Sequence, residues 1–353
     1  MNIEKITNDF LKTNVLSVSA QDITDNRNDK IIDLAVSRLL SKKYRKYGIS
    51  EIVKESIIEK VTNIVSDNKP FKFIICFGGY KHWWTESYPN VDWAEMFNFR
   101  FLVDYILPIA NAYKPGVIIE YESEEVVLER LNNIPQEDLD SYSNSFVKAL
   151  EYYNKYLPQN VKLKFIKARE LYDSNLLFRE IEQKLDKFKQ IFEGYDEEDK
   201  KRRLKKAQTN INWNGKVDLT KLSQSQKDNF IKESRIFNEA FLEADYELRT
   251  DYFEDKYSIP ILLSFGLGPG GEYWLHIGSC SSSIVDFWAG MGIIEIREEN
   301  KIIPRIISRT QYEKIKDKLI KVPVNNSDIA NLNENFKYIY ILNGKLDFDS
   351  TSD

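Results

Sequence analysis

Residues 71–121 constrain the fold more than any other part of the chain. Residues 71–77, Phe-Lys-Phe-Ile-Ile-Cys-Phe, form an apolar run of strand length, and Val117-Ile118-Ile119-Glu120-Tyr121 forms another. Between them, Phe97, Phe101, Leu102, Tyr105, Ile106, Ile109 and Ala110 are spaced as one wide face of a helix over residues 92–112. Asp92 stands where a carboxylate complements the free N–H groups of a helix start. Tyr113-Lys114-Pro115-Gly116 ends the helix, because proline cannot extend it and glycine can turn. Antiparallel strands can be joined by a tight turn, whereas parallel strands need a crossover of about a dozen residues or more. Strand, helix, strand in this order therefore predicts a parallel βαβ unit. Ligands of such sheets bind outside the carboxyl ends of the strands. The segment leaving the first strand is Gly78-Gly79-Tyr80-Lys81-His82-Trp83-Trp84, followed by Glu86, which gathers reactive and aromatic groups at that edge.

The rest of the chain extends this pattern. Residues 1–20 read as a helix and a short extended segment, and residues 29–47 and 50–66 as amphipathic helices, the second capped by Ser50. Residues 123–131 and 135–156 are further predicted helices, and 161–166 a third strand. Residues 175–209 read as one long charged helical region, 210–222 as an exposed loop and 223–254 as another long helix. Beyond it, residues 259–265, 273–277, 292–297, 302–306 and 338–342 are short strand candidates between Gly, Pro and Ser turns. The predicted class is α/β and Rossmann-like: a mostly parallel sheet with flanking helices and extra, partly antiparallel C-terminal strands added to it. The predicted organisation is a helical N-terminal extension over 1–70, then one composite α/β catalytic domain over 71–345 with a charged helical insertion around 175–222.

Composition narrows the function classes. A net charge of −5 on 353 residues gives no general pull toward nucleic acid or an anionic membrane. The basic run at 200–206 borders an acidic run at 196–199, which reads as a solvated helix face. No run of about 18 apolar residues occurs, so no membrane partner is expected and the cytoplasm is the default location. With two cysteines (Cys76, Cys280) and two histidines (His82, His276), no metal-ligand spacing exists, so no metal site is expected. Both cysteines lie in or beside apolar runs and read as buried free thiols. His276, inside a strand, reads as a core or ladder-facing residue. Oligomeric state stays open.

The order of motifs resembles that of the isocyanide synthase family associated with pyoverdine, paerucumarin and dityrosine biosynthesis. The matching stretches are Phe77-Gly78-Gly79-Tyr80-Lys81, Pro89-Asn90-Val91-Asp92-Trp93-Ala94-Glu95, Tyr113-Lys114-Pro115-Gly116 and Glu120-Tyr121-Glu122-Ser123-Glu124. Ile134 to Asp138 with Tyr142, Ile261 to Gly266, Asp286 to Gly292 and Arg309 with Glu313 follow in the family's order. The resemblance covers roughly residues 70–170 and 230–315. It implies a Rossmann-like fold and condensation of an amino acid's amine with a phosphosugar, ribulose 5-phosphate, whose carbon becomes the isocyanide. It places the chain in secondary metabolism, as a transferase or lyase, with no metal or redox cofactor. Two features depart from it: the family's histidines are Gly266 and Ala289 here, and the lysine loop is Gly-Gly-Tyr-Lys-His-Trp-Trp where the family has a Lys-Ser-Pro-Asn type.

Each candidate side chain has a functional and a structural reading. Lys81 would hold a phosphate or carboxylate, or assist carbonyl condensation, or would be a solvated loop lysine. His82 would move protons near neutral pH. Glu95 and Asp92, three apart, would grip the substrate amine, Asp92 being equally suited to an N-cap. Glu122 and Ser123 end a strand on the ligand edge. Gly79, Tyr80, Trp84, Ser264 and Trp288 would line the substrate site, the tryptophans serving otherwise as core. Arg235 would hold a phosphate or carboxylate, or form a surface salt bridge. The Gly266–Gly271 and Gly278–Ser283 stretches could cradle an anion or turn a hairpin. The alternative functions are a same-fold enzyme with altered chemistry on an amino-acid- or nucleotide-like metabolite, and a non-catalytic binding protein docking a partner through its charged helix.

Overall fold

In the computed structural model of the chain, residues 2–18, 27–171, 173–256, 261–265, 275–280, 285–298 and 301–346 are described. In chain order the helices are α1 (Ile3–Phe10), α2 (Asn28–Leu39), α3 (Glu51–Ser66), α4 (Trp93–Ala112), α5 (Glu125–Asn132), α6 (Gln136–Asn154), α7 (Ala168–Leu171), α8 (Ser174–Gly194), α9 (Glu197–Asn210), α10 (Gln224–Lys256), α11 (Arg309–Ile315) and α12 (Ser327–Ala330). The strands are β1 (Phe71–Phe77), β2 (Val117–Ser123), β3 (Val161–Lys167), β4 (Ile261–Ser264), β5 (Leu275–His276), β6 (Met291–Ile296), β7 (Ile302–Ile307), β8 (Leu319–Pro323) and β9 (Tyr338–Asn343).

The predicted βαβ unit forms around α4, with β1 and β2 parallel from Phe71↔Val117 to Phe77↔Ser123. The sheet order is β3-β2-β1-β4-β5, and every neighbouring pair is parallel. Phe71, Phe73, Ile75 and Phe77 share one face with Val117, Ile119, Tyr121, Val161 and Leu163, and all are buried. Helices α4 and α6 cover this face. Phe99 of α4 meets Tyr121 at 5.5 Å between ring centroids, and Phe146 of α6 stacks on Phe77 at 5.1 Å. Burying each such aromatic side chain contributes on the order of 1.5–3 kcal/mol, which explains why this half of the molecule follows its apolar pattern closely. Helix α4 starts with a capping box: the Asp92 carboxylate accepts from Ala94 N, and Glu95 accepts from Asp92 N.

The α/β architecture with flanking helices is present, and three expectations about its parts need correction. The last strands do not extend the parallel sheet. Only β4 and β5 join it, while β7-β6-β9-β8 form a second, mixed sheet in which β8 was not anticipated. This sheet packs on the start of α4, where a side chain at Gly292 would come within 2.3 Å of Ala94 N. The charged region at 175–209 is two helices, broken at Gly194-Tyr195 and restarted by Asp196, whose carboxylate accepts from Asp199 N. The loop at 211–222 is not an exposed tip. Ile211 and Leu219 are buried, and Asn133 holds it through Asn212 O and Val217 O. Asn133, in the left-handed conformation that ends α5, is the hinge of that contact.

The 200–206 basic run lies on α9, which buries none of its residues, in keeping with a solvated face. Among the described residues no helix is long and apolar enough to cross a membrane. Cys76 and Cys280 are both buried thiols outside any disulfide.

Candidate functional site

The strand order reverses direction between β1 and β4, so the carboxyl ends of these two strands are the topological switch point, the place where ligands of open parallel sheets bind. Pairing in register puts Glu122, Cys76, Ser264 and His276 side by side across β2, β1, β4 and β5. Residues in register share a face, so these four groups form one polar row on the face opposite α4 and α6. All four are buried. The Cys76 thiol donates to Glu122 Oε2 at 3.0 Å. One step back on the same face Glu120 lies beside Ile74, and Lys72, a further step back along β1, pairs with it at 2.8 Å. An acid, a thiol, a hydroxyl and an imidazole in one row can bind a polar ligand and exchange protons with it.

The loop after β1 turns on Gly79, whose φ is +71°. A side chain there would sit 1.9 Å from Ser123 Oγ, so only glycine fits. Ser123 in turn donates to Glu125 Oε2 at 2.8 Å, and Arg169 holds the other oxygen of Glu125 at 3.0 Å. Tyr80 is buried and accepts from Asn132 Nδ2 at 3.1 Å.

Lys81 does not project from this loop as a solvated cation. Its ammonium is wholly enclosed and bonds to Asp92 Oδ1 at 3.0 Å, to both oxygens of Glu95 at 3.1 Å and to Phe287 O at 3.0 Å. These acceptors match the three donors of a lysine. Asp92 also accepts from Ser87 Oγ at 2.8 Å, and Glu95 from Tyr142 at 3.1 Å. Burial pushes the Glu95 carboxyl well above the usual range, against the pull of Lys81. Lys81, Asp92 and Glu95 are thus one buried ion cluster that ties the β1 loop to the start of α4 and to the segment before β6.

His82 is also inside, and burial together with Arg309 lowers its imidazole to about 4, so it is neutral at pH 7. Its Nδ1 is buried without a hydrogen-bond partner, and its backbone N–H bonds to Trp288 O at 2.8 Å. Trp84 donates to Ala289 O at 3.1 Å and packs on Tyr312, which makes it a strut under the second sheet. Trp288 lies against Phe77 and Phe265 at the switch point, with ring centroids 5.8 and 5.3 Å away. Arg235 pairs with Glu239 on its own helix, and Arg203 of α9 shares that carboxylate and so fastens α9 to α10. Gly266 and the rest of its glycine-rich stretch fall outside the described residues, as do residues 281–284 of the serine-rich stretch.

The structure therefore separates the candidates into two groups. Lys81, Glu95 and Asp92 form the enclosed cluster, with His82 and Trp84 packed nearby. Gly79, Tyr80, Glu122, Ser123, Ser264 and Trp288 lie at the carboxyl edge. In the sequence Cys76 and His276 read as core residues, since only strand register reveals that they flank Ser264. Lys46 carries no local signal either, yet its ammonium reaches Phe265 O at 2.8 Å and Asp286 Oδ1 at 3.3 Å. The helix expected over 29–47 hid that residue, because the helix ends at Leu39 and residues 44–47 run instead along the edge of β5.

No protein-family model and no curated protein matches this sequence. Among solved structures, the chain is similar to the crystal structure of the PvcA protein from Pseudomonas aeruginosa, with a TM-score of 0.62 and 13% identity. The likeness covers 89% of this chain and 99% of that one, so the two proteins share an overall fold.

Proposed function

We propose that the chain is an isocyanide-synthase-like biosynthetic enzyme, condensing the amine of an amino acid with ribulose 5-phosphate to form an isocyanide. One observation carries this reading: the fold likeness to PvcA from Pseudomonas aeruginosa spans nearly all of that protein, in the same chain whose motif order resembles the isocyanide synthases. The order of motifs from Phe77 to Glu124 supports the same family from the sequence side. Condensation begins with attack of the amine nitrogen on a ketone, and water leaves as the imine forms. The step needs a base for the N–H proton and an acid for the departing hydroxyl. Glu122 and His276, at either end of the polar row, suit those tasks, with Ser264 between them to orient the substrate oxygen. Lys81, Glu95 and Asp92 then act by holding the β1 loop in place. His82, neutral and enclosed, packs that loop.

The test is incubation of the purified protein with an aromatic amino acid and ribulose 5-phosphate, followed by mass spectrometry and infrared detection of the isocyanide. Consumption of neither substrate sinks the reading. A second reading, the same fold with altered chemistry on another amino-acid- or nucleotide-like metabolite, is favoured by Ala289 and Gly266 at the family's histidine positions and by the enclosure of Lys81. Turnover of such a metabolite without ribulose 5-phosphate would support it.

A further inference from the structure

The segment before α3 is built into the carboxyl edge of the parallel sheet. Arg45 forms an antiparallel bridge with Ile277, Lys46 N donates to His276 O at 2.8 Å, and Gly278 N donates to Tyr44 O at 3.1 Å. Tyr47 meets the His276 ring edge-on at 5.7 Å. These contacts fix the backbone of Lys46, and its side chain crosses to Phe265, the residue directly after β4, and to Asp286. Two of the ammonium's donors are used by these acceptors, which leaves a third among the described residues. The Lys46 and Asp286 side chains are 15% and 29% exposed. The enclosed Lys81 cluster contrasts with them: at the switch point, Lys46 and Asp286 are a cation and an anion within reach of solvent. Aromatic surface adjoins them, since Trp288 is two residues from Asp286 and packs edge-on against Phe265.

From this geometry we infer that Lys46 and Asp286 form the α-amino acid subsite, Lys46 taking the carboxylate and Asp286 the amine, with the side chain against Trp288 and Phe265. A cation beside an anion is complementary to a zwitterion whose own charges lie side by side. It suits a phosphate poorly, because Asp286 would repel the phosphate. Desolvation holds the Asp286 carboxyl above the usual range against the pull of Lys46, and an incoming ammonium would add to that pull. This assignment rests on the proposed use of an amino acid, and it moves the amine from Glu95, already committed to Lys81, to a carboxylate near solvent.

Calorimetric titration of the full-length protein with phenylalanine, 3-phenylpropanoate and phenethylamine tests it without ribulose 5-phosphate. A missing isocyanide product would therefore defeat the proposed reaction and leave this result standing. The wild type is expected to bind phenylalanine more tightly than either analogue. Lys46→Met should weaken phenylalanine and 3-phenylpropanoate roughly ten-fold or more and leave phenethylamine unchanged, with Lys46→Arg restoring part of the loss. Asp286→Asn should weaken phenylalanine and phenethylamine and spare 3-phenylpropanoate. It keeps the Lys46–Phe265 bond, so it decides the matter alone if Lys46→Met fails to fold. Equal loss of all three ligands in a folded variant, no change in any, no phenylalanine binding by the wild type, or Lys46-dependent binding of inorganic phosphate in its place would each overturn the assignment.

Discussion

Replacing Lys81 with methionine tests whether the enclosed cluster holds the fold or acts on substrate. Methionine keeps the apolar stem and removes only the ammonium, which is bonded to Asp92, Glu95 and Phe287 O at 3.0–3.1 Å with no solvent exposure. Removing one partner of a buried ion pair leaves the other charge unpaired and costs about 3–5 kcal/mol. The deficit should depend on pH with a defined sign. Glu95 is already pushed above its usual range by burial, and the loss of Lys81 takes away the interaction that opposes the shift. A carboxyl whose folded value lies above its unfolded value favours the fold at low pH, and that advantage is lost as pH rises through the folded value. Lys81→Met should therefore lose less stability at about pH 5 than at about pH 8. Adding Glu95→Gln removes the stranded charge, so the double variant should recover part of the loss, although Glu95→Gln alone destabilises the wild type. Urea denaturation of the four proteins at both pH values closes the cycle. A Lys81→Met protein within about 1 kcal/mol of wild type, folded but inactive, would refute the structural assignment and return Lys81 to the substrate.

The other expectations can be checked on the same protein. His82 is lowered to about 4 in the fold from an ordinary value near 6.5, so the unfolded chain takes up the proton first. Stability should be fully present above about pH 6.5 and fall by up to about 3 kcal/mol toward pH 4. His82→Gln should flatten that part of the urea-stability profile, and an unchanged slope would contradict the neutral, enclosed imidazole. Gly79→Ala must accommodate a positive φ and a clash with Ser123, and should lower stability by about 2 kcal/mol or more; a neutral effect would mean the loop turns differently. Glu122→Gln should retain the melting temperature within a few degrees while product formation drops at least roughly a hundred-fold, the scale of a lost general acid or base. Equal turnover would remove Glu122 from the chemistry. In the second sheet, burial would raise Glu295, but Arg297 and Arg305 outweigh it and hold the carboxyl below its usual range. The stability it contributes should be lost as pH falls below the ordinary carboxylate value, and Glu295→Gln should abolish that component of acid unfolding.

Helices and strands with one strongly apolar face were legible in the amino-acid order. Phe71–Phe77, Trp93–Ala112 and Val117–Ser123 need no distant partner to declare themselves, because periodicity, an N-cap at Asp92 and the Pro115-Gly116 stop are local signals. The crossover length then forces parallel pairing and with it the address of a site at the carboxyl edge. What local order could not decide was which residues meet there. Lys81 and Glu95 are 14 positions apart and close into a cluster only because the β1 loop folds back over the start of α4. Glu122, Cys76, Ser264 and His276 span residues 76–276 and become neighbours solely through strand register, which depends on how whole strands pair and on no single residue. Lys46 reaches Asp286 across 240 positions because a segment expected to be helix runs along β5 instead. The sequence by itself determined the parallel βαβ half of the architecture and the edge proposed to carry the site, since backbone geometry and apolar spacing act over a few residues. The composition of the site belongs to the tertiary structure, since burial and proximity arise only when distant segments pack.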